Sequence, residues 1–132
     1  MAEPPGAEHH DLCFGCGQAN VFGLQLELER LDGGVAGRFF VKQDHQGPDG
    51  TAHPGVLTAA MEEALALAAG GWPERVQVSL MSPAPVGSFV MVAAWLEEDG
   101  TVCASLSGER GEMLAEACGP QPGAPPPAPS QR

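Results

Sequence analysis

An α+β fold, with one long helix packed on a curled and mainly antiparallel sheet, is what this 132-residue sequence predicts. Three observations carry that reading. Two strand-like segments precede a single breaker-free helical stretch, and four more follow it. Most links between consecutive strands are short turns, which suit antiparallel neighbours. A lone helix must then cover one face of the sheet to bury its apolar stripe.

The elements follow in order. GLQLELER, residues 23–30, places Leu24, Leu26 and Leu28 in alternation with Gln25, Glu27 and Glu29, the period of a half-buried strand. LDGG, residues 31–34, is turn chemistry, and VAGRFFV, residues 35–41, is a second strand rich in β-branched and aromatic residues that pairs with the first as a hairpin. A polar, glycine-rich loop, DHQGPDGTAH, covers residues 44–53. Pro54 has the fixed φ of a first helical position, and GVLTAAMEEALALAA continues until Gly70 and Gly71 stop the helix. Leu57, Ala60, Met61, Ala64, Leu65 and Ala68 share one face at helical spacing and form the core stripe. RVQVSLM (75–81), SFVMVAAWL (88–96), TVCASLS (101–107) and MLAEAC (113–118) are the remaining strands, with SPAPVG and EEDG as turns between them.

Composition narrows the function classes. The length and the 43% hydrophobic content suit one core. MAEPPGAEHH and the proline-rich end GPQPGAPPPAPSQR lack a periodic apolar pattern, so tails are expected at residues 1–10 and 120–132, with a single domain over 11–119. No apolar run reaches the ~18 residues of a membrane span, and no basic region leads into an apolar run at the start. A cytoplasmic protein with no membrane partner is expected. Only six Lys and Arg residues stand against 17 Asp and Glu, for a net charge of −11. They form no basic stripe, which argues against nucleic acid.

Four cysteines are present: Cys13, Cys16, Cys103 and Cys118. In a cytosolic chain they read as thiols rather than disulfides. The spacing of Cys13 and Cys16, with Gly17 after them, is that of half a zinc knuckle. A structural zinc site wants four N or S ligands. The pair supplies two, His9 or His10 offers a third, and Cys103 and Cys118 lie far along the chain. The main expectation is therefore no metal, with glycine-enabled turns and packed thiols; a Cys13–Cys16 metal site is the alternative.

Read together, several motifs resemble the hotdog-fold thioesterases of the phenylacetate-pathway type, whose N-terminal cysteine pattern looks like C-x-x-C-G-x-x-N-P-x-G-L. Here the corresponding stretches are CFGCGQANVFGL (13–24), HQGPDGTAHPGVL (45–57), EEA (62–64), MSPAPVG (81–87) and AEACG (115–119). They occur in the family's order and span nearly the whole expected domain. The resemblance implies a hotdog fold, a sheet wrapped around one long central helix, and an acyl-CoA thioesterase that needs no cofactor and works as a homodimer or dimer of dimers (a homotetramer).

The resemblance also implies a division of roles. An amide just after the motif histidine, His53, polarises the thioester carbonyl, and a carboxylate nine residues further on, Glu62, acts as base or nucleophile. By position Gly55 is the nearest usable donor, while His45, Gly47, Pro54 and Glu63 border the substrate. Without the resemblance, Glu62 and Glu63 read as solvated acids on either flank of the helix's apolar face. Glu62 stands seven residues beyond Gly55, or ~10 Å along a helix, too far for both to serve one carbon. A site between two chains is expected, each giving one of the two groups. The chain departs from the family at H-P-G, where relatives read H-G-G: Pro54 has no N–H at the expected oxyanion donor. WPER, residues 72–75, has no hydroxyl where relatives can carry one, and Leu80 and Met81 stand where some relatives place arginines toward the CoA phosphates. A non-catalytic binder of acyl-CoA or an acyl carrier is the alternative reading.

Overall fold

The computed structural model describes residues 9–123; the outer parts of both expected tails lie outside them. Strand β1 (Glu27–Leu31) forms a hairpin with β2 (Gly34–Phe40). A single 3₁₀ turn at Gln43–His45 opens the loop to helix α1 (Pro54–Ala69). Strands β3 (Gln77–Leu80), β4 (Phe89–Leu96), β5 (Thr101–Ser107) and β6 (Met113–Pro120) follow. All pairings are antiparallel, and the sheet order is β1-β2-β4-β5-β6-β3. The helix packs against β4, β5, β2 and β6. This is the hotdog fold. Among the described residues, no helix is long and apolar enough to cross a membrane.

Helix α1 starts where proline can start it and stops where glycine can stop it. Gly70 takes a left-handed φ of 78° and donates its N–H to the carbonyl of Ala66, a geometry that would strain a residue with a Cβ. Leu57, Ala60, Met61, Ala64 and Leu65 are buried, as the stripe predicts, and Ala68 is half-buried. The alternating small and large side chains let the helix lie close to the sheet, where Val90, Val102 and Leu106 meet it without exposure.

The helix also buries a second face. Glu63, Ala66 and Leu67 are covered as well. The segment before β1 covers Glu63 through His9, Cys13 and Gly15. Leu24, Leu26 and Leu28 are all about 1% exposed, so their alternation holds, but only the last lies in a regular strand. Gln25 takes a left-handed φ of 50°. The Leu24 and Leu26 amides instead donate to the carbonyls of Phe14 and Gly15, tying the cysteine loop to the entry of β1. The guanidinium of Arg30 donates to the carbonyl of Leu67 at 2.9 Å and fixes β1 to the last turn of the helix.

Two details extend the packed unit beyond residues 11–119. His9 contacts the helix through Glu63, and β6 runs on to Pro120. One expectation about the cysteines is corrected: Cys103 and Cys118 are joined as a disulfide, their Cα atoms 4.1 Å apart. The β5–β6 register sets the two residues directly opposite each other. Sequence distance hides that register, because it follows from strand pairing rather than spacing.

Candidate functional site

Two separate polar centres lie along α1, one at its start and one halfway along it. At the start, the loop after β2 folds back on itself. Gly47 N–H donates to Thr51 O, and His53 N–H donates to His45 O. The turn between β3 and β4 supports this loop, because Ala52 N–H donates to Ala84 O at 2.8 Å. The HQGPDGTAH and SPAPVG stretches, distant in sequence, thus meet beside the helix. Gly47 is pressed against His53: an added Cβ would stand 2.6 Å from the His53 Cα.

His53 is the N-cap of α1, and its Nδ1 accepts the N–H of Gly55 at 2.8 Å. That bond requires the ring proton to sit on Nε2. Val56 N–H donates to His53 O at 2.8 Å. Pro54 has no N–H. The first three positions of the helix therefore present no unbonded amide, although His53, Pro54 and Gly55 are all exposed. Helix starts usually leave such donors open to a ligand; here the histidine side chain takes the one at Gly55.

His45 lies beneath this loop, 2% exposed. Its Nδ1 accepts the Lys42 N–H at 3.1 Å, and its Nε2–H donates to Gly23 O at 3.2 Å. Phe39 meets the ring edge-on. Burial pushes the imidazole below its ordinary pKa; the Gly23 carbonyl opposes the shift, while the Lys42 charge adds to it. The residue thus ties the β2–α1 loop to the entry of β1, with both ring nitrogens engaged by backbone.

The two helix acids separate sharply. Glu62 is half-buried, and its carboxylate has no hydrogen-bond or ion-pair partner among the described residues. Glu63 is 3% exposed. Its Oε1 accepts the Cys13 thiol at 3.1 Å and lies 2.7 Å from His9 Nδ1. Helical spacing puts the two acids on the flanks of one apolar stripe; the cysteine loop encloses the Glu63 flank and leaves the Glu62 flank half-buried. Gly15 makes that enclosure possible, since a Cβ there would stand 2.5 Å from the Glu63 Cδ. Cys16 is fully buried and accepts the His9 backbone N–H at 3.0 Å. Burial holds its thiol well above the ordinary range, and the Glu63 carboxylate reinforces the effect. The involvement of Glu63 with the C-x-x-C pair had no signal in the linear sequence.

Of the basic residues, Lys42 is spent on the carbonyls of Val21 and Gly23 and on Gln25 Oε1, Arg30 on Leu67, and Arg38 on the face of Phe89 at 4.2 Å. The side chains of Arg75 and Arg110 have no partner among the described residues.

No family model matches the chain. No curated protein matches its sequence. Solved structures do match its fold. Zebra fish thioesterase superfamily member 2 is 16% identical, with a TM-score of 0.68, over 77% of this chain and 83% of that one. The Escherichia coli PaaI protein of the phenylacetic acid degradation operon is 16% identical, with a TM-score of 0.66, over 79% and 84%. A Streptococcus mutans protein solved bound to acetyl CoA is 13% identical, with a TM-score of 0.64, over 71% and 84%. The strand order, the buried helix α1 and these matches agree: the chain has the hotdog fold of thioesterase-superfamily structures.

Proposed function

We propose that this protein hydrolyses an acyl-CoA-type thioester at a site shared between two copies of the chain. Glu62 of one protomer acts as base or nucleophile, and the helix start of the other stabilises the oxyanion through the Gly55 N–H, which must exchange its bond to His53 for the substrate oxygen. One observation carries the reading: of the two adjacent acids, Glu63 is buried with its Oε1 held by Cys13 and His9, while Glu62 is half-buried and unpartnered among the described residues. A carboxylate left available at the edge of a core is suited to activating water. The separation of ~10 Å along the helix between Gly55 and Glu62 is why two protomers are needed. Strand β3, at the sheet edge, with Leu80 and Met81 about half exposed, offers a surface for a second copy. Arg75 and Arg110, whose side chains are unpartnered among the described residues, are available to the CoA phosphates.

A second reading has its own support. Pro54 lacks an amide proton, and Gly55 N–H is already bonded to His53. A helix start closed in this way suits a hotdog protein that binds an acyl-CoA or acyl carrier without cleaving it. Free thiol release from a panel of acyl-CoAs, measured for the wild type, Glu62→Gln and Pro54→Gly, separates the two. Turnover in the wild type that disappears in Glu62→Gln supports the hydrolase. Saturable binding with turnover only in Pro54→Gly supports the binder.

A further inference from the structure

The cluster at the middle of α1 is arranged as a metal site, and this inference is independent of the thioesterase reading. The ligand atoms of His9, Cys13, Cys16 and Glu63 all lie within 4.8 Å of one another. His9 Nδ1 is 3.8 Å from Cys13 Sγ, 3.6 Å from Cys16 Sγ and 2.7 Å from Glu63 Oε1, and Cys13 Sγ is 3.1 Å from that same oxygen. Tetrahedral zinc with bonds of ~2.0–2.3 Å separates its donors by roughly 3.3–3.8 Å. The sulfur–nitrogen spacings already fall there. The two contacts to Glu63 are shorter, and a carboxylate that now accepts a thiol proton would move outward by less than an ångström to face an ion instead.

The chain around the cluster is shaped to hold it. Cys13 and Cys16 bracket a tight turn in which Gly17 N–H donates to Cys13 O at 2.8 Å. A Cβ at Gly17 would stand 2.4 Å from Cys13 N, and one at Gly15 would collide with Glu63. The His9 ring stacks on Trp72 at 5.0 Å between centroids, which fixes it over the cluster. Cys16 and Glu63 are buried and Cys13 is half-buried, so an ion here would sit largely out of water. Two sulfurs, one imidazole and one carboxylate select a borderline-soft cation such as zinc over magnesium or calcium.

We propose that His9, Cys13, Cys16 and Glu63 form a closed, four-coordinate site for a thiophilic divalent cation, zinc foremost, that clamps the N-terminal segment to α1. With four protein donors the site has no open position, so its role is structural rather than catalytic. Each ion bound displaces the protons of the two thiols into solvent and leaves a bis-thiolate complex. The clamp joins three elements, His9 four residues ahead of Cys13, the C-x-x-C turn itself and the helix, beside Glu62.

The test uses the full-length chain without a histidine tag, stripped with chelator, with two free thiols verified by titration. Zinc chloride is expected to bind one ion per chain and raise Tm, and cobalt chloride to give a thiolate-to-metal charge-transfer band with tetrahedral visible bands. Cys13→Ser and Cys16→Ser should each weaken zinc by at least about 100-fold. His9→Ala alters only a surface ligand and guards against misfolding as an explanation; it should keep the native circular dichroism, weaken zinc by about 10- to 100-fold and change the cobalt spectrum. The proposal is overturned if the folded wild type, with its two free thiols, takes up no more cobalt than the Cys13→Ser/Cys16→Ser double variant, which would make the cluster a hydrogen-bonded packing motif. It is equally overturned if His9→Ala leaves both zinc affinity and cobalt spectrum unchanged.

Discussion

Gly55 donates its N–H to His53 Nδ1 at 2.8 Å, so the exposed start of α1 is closed by its own cap. The preceding position, Pro54, has no proton to offer. A ligand oxygen that seeks this helix start must compete with an imidazole already in place.

That closure predicts the behaviour of two variants. Pro54→Gly restores an amide at the first helical position, and thiol release from acyl-CoA should rise by about 10²- to 10³-fold, the usual effect of one oxyanion donor. His53→Ala removes the cap; stability should fall by about 1 kcal/mol, while turnover is retained or rises because Gly55 N–H is released. Steady-state kinetics with thermal denaturation read both, and a His53→Ala variant that is stable yet inactive would assign the histidine to the chemistry instead.

Glu62 and Glu63 should respond oppositely to substitution. Glu62→Gln removes an unpartnered, half-buried carboxylate, so Tm should stay within error while kcat drops by about 10²- to 10⁴-fold. Glu63→Ala strips the buried acceptor from Cys13 and His9 and should destabilise by about 1–3 kcal/mol. Urea titration alongside kinetics distinguishes them.

Gly15→Ala tests the close approach of the cysteine loop to the helix. The new methyl would stand 2.5–2.7 Å from the Glu63 carboxylate, which is buried and held on its far side. Overpacking of this kind costs about 1–3 kcal/mol. The loss should show as faster amide exchange at Leu24 and Leu26, whose N–H groups bond to Phe14 and Gly15.

His45 makes stability depend on pH. Its folded pKa lies below the ordinary value because burial disfavours the imidazolium. The unfolded chain therefore binds the proton more readily, and stability rises with pH through this window. The contribution is complete above the unfolded value of about 6.5 and is lost as pH falls through 6.5 toward the depressed folded value. Unfolding free energies from pH 8 to pH 5 should fall more steeply for the wild type than for His45→Asn; parallel curves would refute the assignment.

Much of the fold was legible because local rules and tertiary structure agree. The helix begins at Pro54 and ends before Gly70, β5 spans Thr101–Ser107, and the apolar stripe faces the sheet. The helix start was legible at the level of motif: His53 caps α1, and Pro54 and Gly55 open it. Less legible was how each group is spent. The capping bond from Gly55 to His53 depends on a side-chain rotamer, and the burial of Glu63 depends on a loop some 50 residues earlier in the chain.

By itself, the sequence determined which segments extend, which one coils, and where turns interrupt them, because those choices rest on alternation, helical spacing, proline and glycine within a few residues. Only the tertiary structure decided that Cys103 lies opposite Cys118, that the cysteine turn closes over one helix acid and spares its neighbour, and that Leu24 and Leu26 pair with a loop instead of a strand. Those outcomes depend on strand register and on which surface folds back over which, and free energy of that kind is shared between residues too distant in the chain for any local pattern to encode.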